Sequence, residues 1–124
     1  MIFRAGKLLI TRRFADAHLG GLWEFPGGKR ELKETFEQCL ARELREELGV
    51  DVAVGELLES VTHAYADKTV HLRFFRCRLT AGEPRPLGCA KVKWVSAAEL
   101  AEHNFPAADA GLLDKVRATS SLWT

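Results

Sequence analysis

The sequence has no apolar run of membrane-spanning length and opens with no secretory leader, so no membrane association and a cytoplasmic location are expected. It also has no CxxC or HxxxH pair. Cys39, Cys77 and Cys89 stand apart, and an odd count without a leader points to reduced thiols serving as small apolar filler. Excess charge of either sign is missing too. A net charge of +1 gives no global basic field, which argues against stable binding to nucleic acid or to an anionic membrane. No linker, repeat or low-complexity tract divides the chain, so residues 1–124 are expected to form one domain. What is present is an ordinary globular composition, 47% apolar and 28% charged.

Local pattern places the elements. Lys7–Arg13 reads as a buried strand start, and Phe14–Gly28 as a loop ending in the breaker Pro26-Gly27-Gly28. Thr35–Leu48 reads as a helix stopped by Gly49, where a left-handed cap is wanted. Val52–Thr62 is β-like. Thr69–Arg78 alternates Val70, Leu72 and Phe74 against His71, Arg73 and Phe75, the pattern of a half-buried strand. Gly82–Gly88 is a loop, Val92–Ser96 a short strand, and Ala97–Glu102 a short helix. Ala107–Ala118 is an amphipathic helix with Leu112, Leu113 and Val116 inward, and Ser120–Thr124 reads as a frayed tail. Strands mixed with two main helices suggest an α/β fold with helices packed on the faces of a sheet. Ile2-Phe3 before Arg4-Ala5-Gly6-Lys7 looks like the end of a strand turning into the next, so the first strand reads as truncated.

The Thr35–Leu48 helix carries acids on an unexpected side. With Phe36 at zero and about 100° per residue, Leu40 and Leu44 mark the core stripe near 40° and 80°. Glu43 then falls near 340° and Glu47 near 20°, inside that stripe, with Glu46 beside them near 280°. Like charges at i,i+4 weaken a helix by roughly 0.2–0.5 kcal/mol, and burying carboxylates costs far more without compensation. A divalent cation is one compensation, and oxygen donors favour Mg²⁺ or Mn²⁺ over zinc. The other reading is a solvated face of Arg/Glu pairs, such as Arg42 with Glu46. The wheel alone leaves both open.

The segment from Gly28 to Val50 resembles the Nudix box, G-x5-E-x7-R-E-U-x-E-E-x-G-U with U a bulky aliphatic residue. Gly28, Glu34, Arg42, Glu43, Leu44, Glu46, Glu47, Gly49 and Val50 match all nine specified positions. Ile10–His18, Glu24–Lys29 and Asn104–Asp109 are further similar to the MutT subgroup, so nearly the whole chain is covered. Relative to that subgroup about ten residues are missing at the N-terminus, in line with the truncated strand. The resemblance implies an α/β/α sandwich around a mixed β-sheet. It implies a Mg²⁺-dependent hydrolase, with Mn²⁺ as a substitute, that cuts a nucleoside triphosphate at the β-phosphorus into a nucleoside monophosphate and pyrophosphate. By position, Gly27 (through its carbonyl), Glu43, Glu46 and Glu47 would hold the metal. Glu34 and Arg42 would hold the loop–helix geometry, and any of Glu43, Glu46 and Glu47 could orient or deprotonate the attacking water. Arg13 and Lys29 are the candidates for gripping phosphates, each with a solvated charge as the plainer alternative.

Phe25, Asp67, Lys68 and Asp109 would line the base pocket by the same resemblance. MutT has an asparagine at the position of Asp109. An ionised aspartate only accepts hydrogen bonds and suits a base presenting an N–H or amino donor, whereas a protonated one mimics part of the asparagine. The plainer role for Asp109 is a carboxylate in the first turn of a helix, and for Phe25 and Trp23 core packing. A second departure is Gly88, where MutT-like enzymes carry a loop glutamate, which puts metal count and rate in question. Three functions follow from these observations: removal of 8-oxo-dGTP from the nucleotide pool, hydrolysis of CTP or 5-methyl-dCTP by the same mechanism, or a non-catalytic module that reads a damaged base or a partner. The chain is expected to be a monomer, or a weak dimer through the sheet edge that a short first strand leaves open.

Overall fold

A computed structural model describes residues 1–27 and 33–124, with the side chain of Val70 also outside the description. The chain order is β1 (Phe3–Arg4), β2 (Lys7–Arg12), β3 (Trp23–Glu24), α1 (Phe36–Leu48), β4 (Asp51–Ala64), β5 (Thr69–Ala81), β6 (Lys91–Val95), α2 (Ala97–Leu100) and α3 (Ala110–Ala118). A 3-10 turn at Ala107–Asp109 leads into α3, and another at Ser120–Trp123 follows it. No helix among the described residues is long and apolar enough to cross a membrane.

β2 is the hub of the fold. It pairs antiparallel with β6 along one edge, and with β1 and β3 at opposite ends of the other. The β4–β5 hairpin joins this sheet through a parallel bridge between Ile2 and Cys77, so the sheet is mixed. Cys77 N–H donates to the Met1 carbonyl at 2.7 Å and Leu9 N–H to the Ile2 carbonyl at 2.9 Å, which stitches the two parts together.

Alternation along β2 divides the interior in two. Leu8 and Ile10 face a core shared with Val95, Leu100, Leu112 and Val116, which brings α2 and α3 onto that side. Leu9 faces the other core with Leu44, Leu48 and Val50, which brings α1 onto the opposite side. The result is the expected layering, with helices on both faces of a mixed sheet. All three cysteines are buried free thiols, Cys77 and Cys89 among them in the α1-side core.

α1 forms where local signals demand it. The Thr35 side chain accepts from Gln38 N–H while the Gln38 side chain accepts from Thr35 N–H, a reciprocal cap that satisfies two orphan groups. At the other end Gly49, at φ 70°, takes the left-handed conformation and returns its N–H to the Arg45 carbonyl.

Three expectations are corrected. Within Phe14–Gly28, read as a loop, Trp23–Glu24 forms β3, because its backbone finds the free far end of β2. Phe75, read as the outward partner of Phe74, is buried. Irregularities in the β4–β5 register between Val54 and Glu59 and helices on both faces let Phe74 and Phe75 enter opposite cores. Ser120–Thr124 is no frayed tail: Leu122 is buried in the α3-side core, Trp123 stands edge-on to Phe3 at 5.4 Å, and its indole N–H donates to the Val116 carbonyl. Truncating Leu122 therefore opens a core cavity. Leu122→Ala is expected to cost about 3 kcal/mol in urea denaturation, whereas a fraying tail would cost almost nothing.

Candidate active site

The far end of β2 faces the second half of α1, and the acids gather there. Thr11 and Glu24 are directly paired across β2 and β3, on the side of the sheet that packs on α1. From α1, Glu43 turns inward, with 17% of its side chain exposed, and Glu47 is half-buried next to it. Glu46 points outward at 58% exposure. One turn of helix thus presents two acids to the sheet and one to solvent.

Arg42 is the local counter-charge. Its guanidinium grips Glu34 through Nη2 at 2.7 Å and Nε at 3.1 Å, and reaches Glu43 at 2.8 Å and Glu46 at 3.3 Å through Nη1. The grip on Glu34 is two-pronged and partly buried, the geometry in which an Arg–carboxylate pair is strongest. It ties the segment entering α1 to the middle of the helix.

Glu47 is treated differently. Burial first, then the charges of Glu24 and Glu43, push its carboxyl up to about 8, against a smaller downward pull from the Gly27 N–H. Among the described residues no lysine or arginine pairs with Glu47. Glu24 itself is held by Arg13, Nη1 to Oε2 at 2.8 Å, while Arg13 Nε donates to the His18 carbonyl at 2.6 Å.

These observations test whether a divalent cation fits. The donors at hand are carboxylate oxygens with the Gly27 backbone beside them, and an oxygen-only set suits Mg²⁺ or Mn²⁺. The Thr11 hydroxyl, on the same sheet face as Glu24, is buried and has no hydrogen-bond partner among the described residues. Carboxyl groups that repel one another, with an unpartnered hydroxyl on the same sheet face as Glu24, suit an oxygen-liganded cation. Among the described residues no three His, Cys, Asp or Glu groups already converge on one point, since Arg42 lies between Glu34, Glu43 and Glu46. The residues fit the ion in chemistry and charge.

The remaining candidates separate. Arg13 sits at the rim of the acid group through its bond to Glu24. Lys29 lies outside the described residues. Phe25 packs in the α3-side core, stacked on Phe105 at 5.0 Å and edge-on to Phe74 at 5.9 Å. Asp109 is 7% exposed and stands at the helix start its sequence position suggests, in the 3-10 turn that leads into α3, without a side-chain cap hydrogen bond. Burial first, and the charge of Glu24 second, raise it to about 6. Asp67 and Lys68 are exposed in the turn of the β4–β5 hairpin, where Tyr65 N–H donates to the Lys68 carbonyl. Phe74, farther along β5, is the part of that hairpin that meets Phe25. Gly88 lies directly against Glu47.

Glu24 is the candidate site residue that sequence reasoning left unassigned. Its charge acts on both Glu47 and Asp109 and so links the acids to the buried end of α3. The signal available in the sequence was its place in Glu24–Lys29, one of the segments similar to the MutT subgroup.

Residues 1–115 match the family model described as a NUDIX domain, and the chain belongs to that family. Within it the chain is of the MutT type. It is 36% identical over 111 residues to the 8-oxo-dGTP diphosphatase of Escherichia coli (strain K12), covering 90% of this chain and 86% of that protein. It is also 36% identical over 114 residues to the CTP pyrophosphohydrolase of the same organism, covering 92% and 84% respectively. Among solved structures it resembles the solution structure of the E. coli ORF135 protein with a TM-score of 0.79 and 35% identity, over 95% of this chain and 84% of that one.

The Asp109 environment yields a stability prediction. Unfolded, the carboxyl titrates at its ordinary 3.8, and folded at about 6, so the folded state holds a proton that the unfolded chain has lost between those values. The stability this contributes is complete below pH 3.8 and is lost as pH rises through 6. Asp109→Asn is therefore expected to be more stable than the parent by up to about 3 kcal/mol at pH 7, with the difference closing near pH 4. Denaturation curves across that range check it, and a pH-independent difference would refute the assignment.

Proposed function

We propose that this Nudix domain is a Mg²⁺-dependent nucleoside triphosphate pyrophosphohydrolase, with Mn²⁺ as a substitute, releasing a nucleoside monophosphate and pyrophosphate, with 8-oxo-dGTP as its leading substrate. The observation that carries this reading is the inward presentation of Glu43 and Glu47 from α1 opposite Glu24 of β3. Glu43, Glu46, Glu47 and the Gly27 backbone would hold the ion. A divalent cation there supplies neutralisation of the phosphate charge and acidification of water.

The chain's own residues supply position and electrostatics. Arg42 fixes Glu34 to α1 and orients Glu43, so the acid-bearing turn is set before substrate arrives. Arg13, already at the rim, offers a planar cation to the phosphates if it exchanges Glu24 for them. Glu47, raised to about 8, holds its own proton near neutral pH while no cation is bound, and a divalent cation would favour its carboxylate form. Lys29 would add a second phosphate contact. The Phe25, Phe74 and Phe105 cluster borders the region where Asp109 would meet a base edge, and Asp67 and Lys68 would close it only if their hairpin turn folds inward.

A specific observation favours a second substrate. Asp109, at about 6, is mainly ionised at pH 7 and then accepts only, which suits an exocyclic amino group such as that of cytosine. CTP and 5-methyl-dCTP are thus the competing substrates, in keeping with the likeness to a CTP pyrophosphohydrolase.

Pyrophosphate release measured with 8-oxo-dGTP, CTP, dCTP and 5-methyl-dCTP, with and without Mg²⁺, tests both. The highest kcat/KM is expected for 8-oxo-dGTP, and a clear preference for a cytosine nucleotide replaces it by the second reading. No turnover on any of them leaves a non-catalytic binding module. Glu46→Gln and Glu47→Gln are each expected to lower kcat at least about a hundredfold, which corresponds to about 2.7 kcal/mol of transition-state stabilisation. Near-parental rates in both would remove these residues from the mechanism.

A further inference from the structure

The last turn of α1 carries Glu47, and the segment packed on it is the loop between β5 and β6. Arg85 N–H donates to the Leu48 carbonyl, and the N–H groups of Leu87 and Gly88 both donate to the Glu47 carbonyl, each at 3.0 Å. These bonds satisfy carbonyls that a helix end leaves open, and they bring the loop backbone onto the acid-bearing residue itself.

Gly88 makes the closest approach. A Cβ at this position would stand 3.2 Å from Glu47 Cα, 3.2 Å from its Cγ and 3.4 Å from its Cβ. The reason for glycine here is space, because Gly88 does not adopt the left-handed backbone that Gly49 and Gly82 do. Glu47 Cβ and Cγ are the atoms whose torsions aim the carboxylate, so the bare backbone of Gly88 walls off one direction in which that side chain could turn. On the remaining sides stand the Gly27 N–H and the carboxylates of Glu24 and Glu43.

We propose that Gly88 is a positioning residue for Glu47: its missing side chain lets the loop lie against Glu47 and hold the carboxylate toward Glu24 and Glu43. This rests on the reading of Glu47 as a metal ligand. Adding one methyl forces the neighbouring atoms apart by a few tenths of an ångström. Mg²⁺ requires near-ideal octahedral geometry and is sensitive to such a shift, whereas Ca²⁺ accepts irregular surroundings.

The test is Mn²⁺ binding to the folded protein without nucleotide, read by electron paramagnetic resonance, with Mg²⁺ and Ca²⁺ as competitors. Folding of each variant is verified by circular dichroism, and binding is read below its melting temperature. Gly88→Ala is expected to weaken Mn²⁺ and Mg²⁺ binding about five- to tenfold while Ca²⁺ binding stays within about twofold. Gly82→Ala strains the same loop at φ 88°, with its Cβ 2.8 Å from the Gly49 carbonyl oxygen. That variant should lower Tm yet bind ions like the parent. Glu47→Gln should lose at least about tenfold in Mn²⁺ affinity.

If Glu47→Gln loses the ion and Gly88→Ala does not, the positioning role is wrong and the ligand role of Glu47 stands. If Glu47→Gln binds like the parent, both fall. Equal loss of Mg²⁺ and Ca²⁺ in Gly88→Ala, or equal loss of Mn²⁺ in Gly82→Ala, would show a merely structural glycine and overturn the proposal.

Discussion

Negative charge held in a place where water cannot fully screen it governs this molecule. The charges of Glu24 and Glu43 both reach Glu47 between the sheet and α1, and burial together with this repulsion lifts Glu47 to about 8. A fold assembled for stability alone would put such residues in solvent. Arg42 offsets part of the repulsion by holding Glu34, Glu43 and Glu46 at once. What it leaves unrelieved falls on Glu47, and a dication would relieve it by favouring the carboxylate form and would in turn offer positive charge to an anionic substrate.

The rest of the architecture serves to hold that spot still. Even residues of β2 pack under α3 and odd ones under α1, so one strand fastens both cores and ends at the acids. The side-chain period of two then decides the character of β3: Glu24 faces the acids while Phe25, its neighbour, enters the aromatic cluster with Phe74 and Phe105. The loop from Gly82 to Gly88 closes the Glu47 and Leu48 carbonyls of α1, so the helix end that carries Glu47 is braced by backbone hydrogen bonds rather than left to fray.

What could be read from sequence was mostly local. The extent of α1 and its stop at Gly49 were legible because a reciprocal cap and a left-handed glycine act within a few residues. The strands of β2, β5 and β6 were legible from alternation and apolar runs. Less legible was anything set by partners distant in sequence. Trp23–Glu24 has no strand signature of its own and exists because β2 offers an edge. Leu122 and Trp123 look like a tail until Phe3 and the α3-side core receive them. The burial of both Phe74 and Phe75 requires helices on both faces, which a simple alternation cannot express.

For the site, the sequence by itself determined which residues carry charge and in what order along α1, because the spacing of Arg42, Glu43, Glu46 and Glu47 is a covalent fact and helical geometry turns it into directions. Tertiary structure decided the environment of each. It half-buried Glu43 and Glu47 and left Glu46 in solvent, brought Glu24 across from another element, enclosed Asp109, and set Gly88 against Glu47. The physical reason is that a carboxylate's chemistry depends on its surrounding dielectric and neighbouring charges, and both are supplied by segments tens of residues away in the chain.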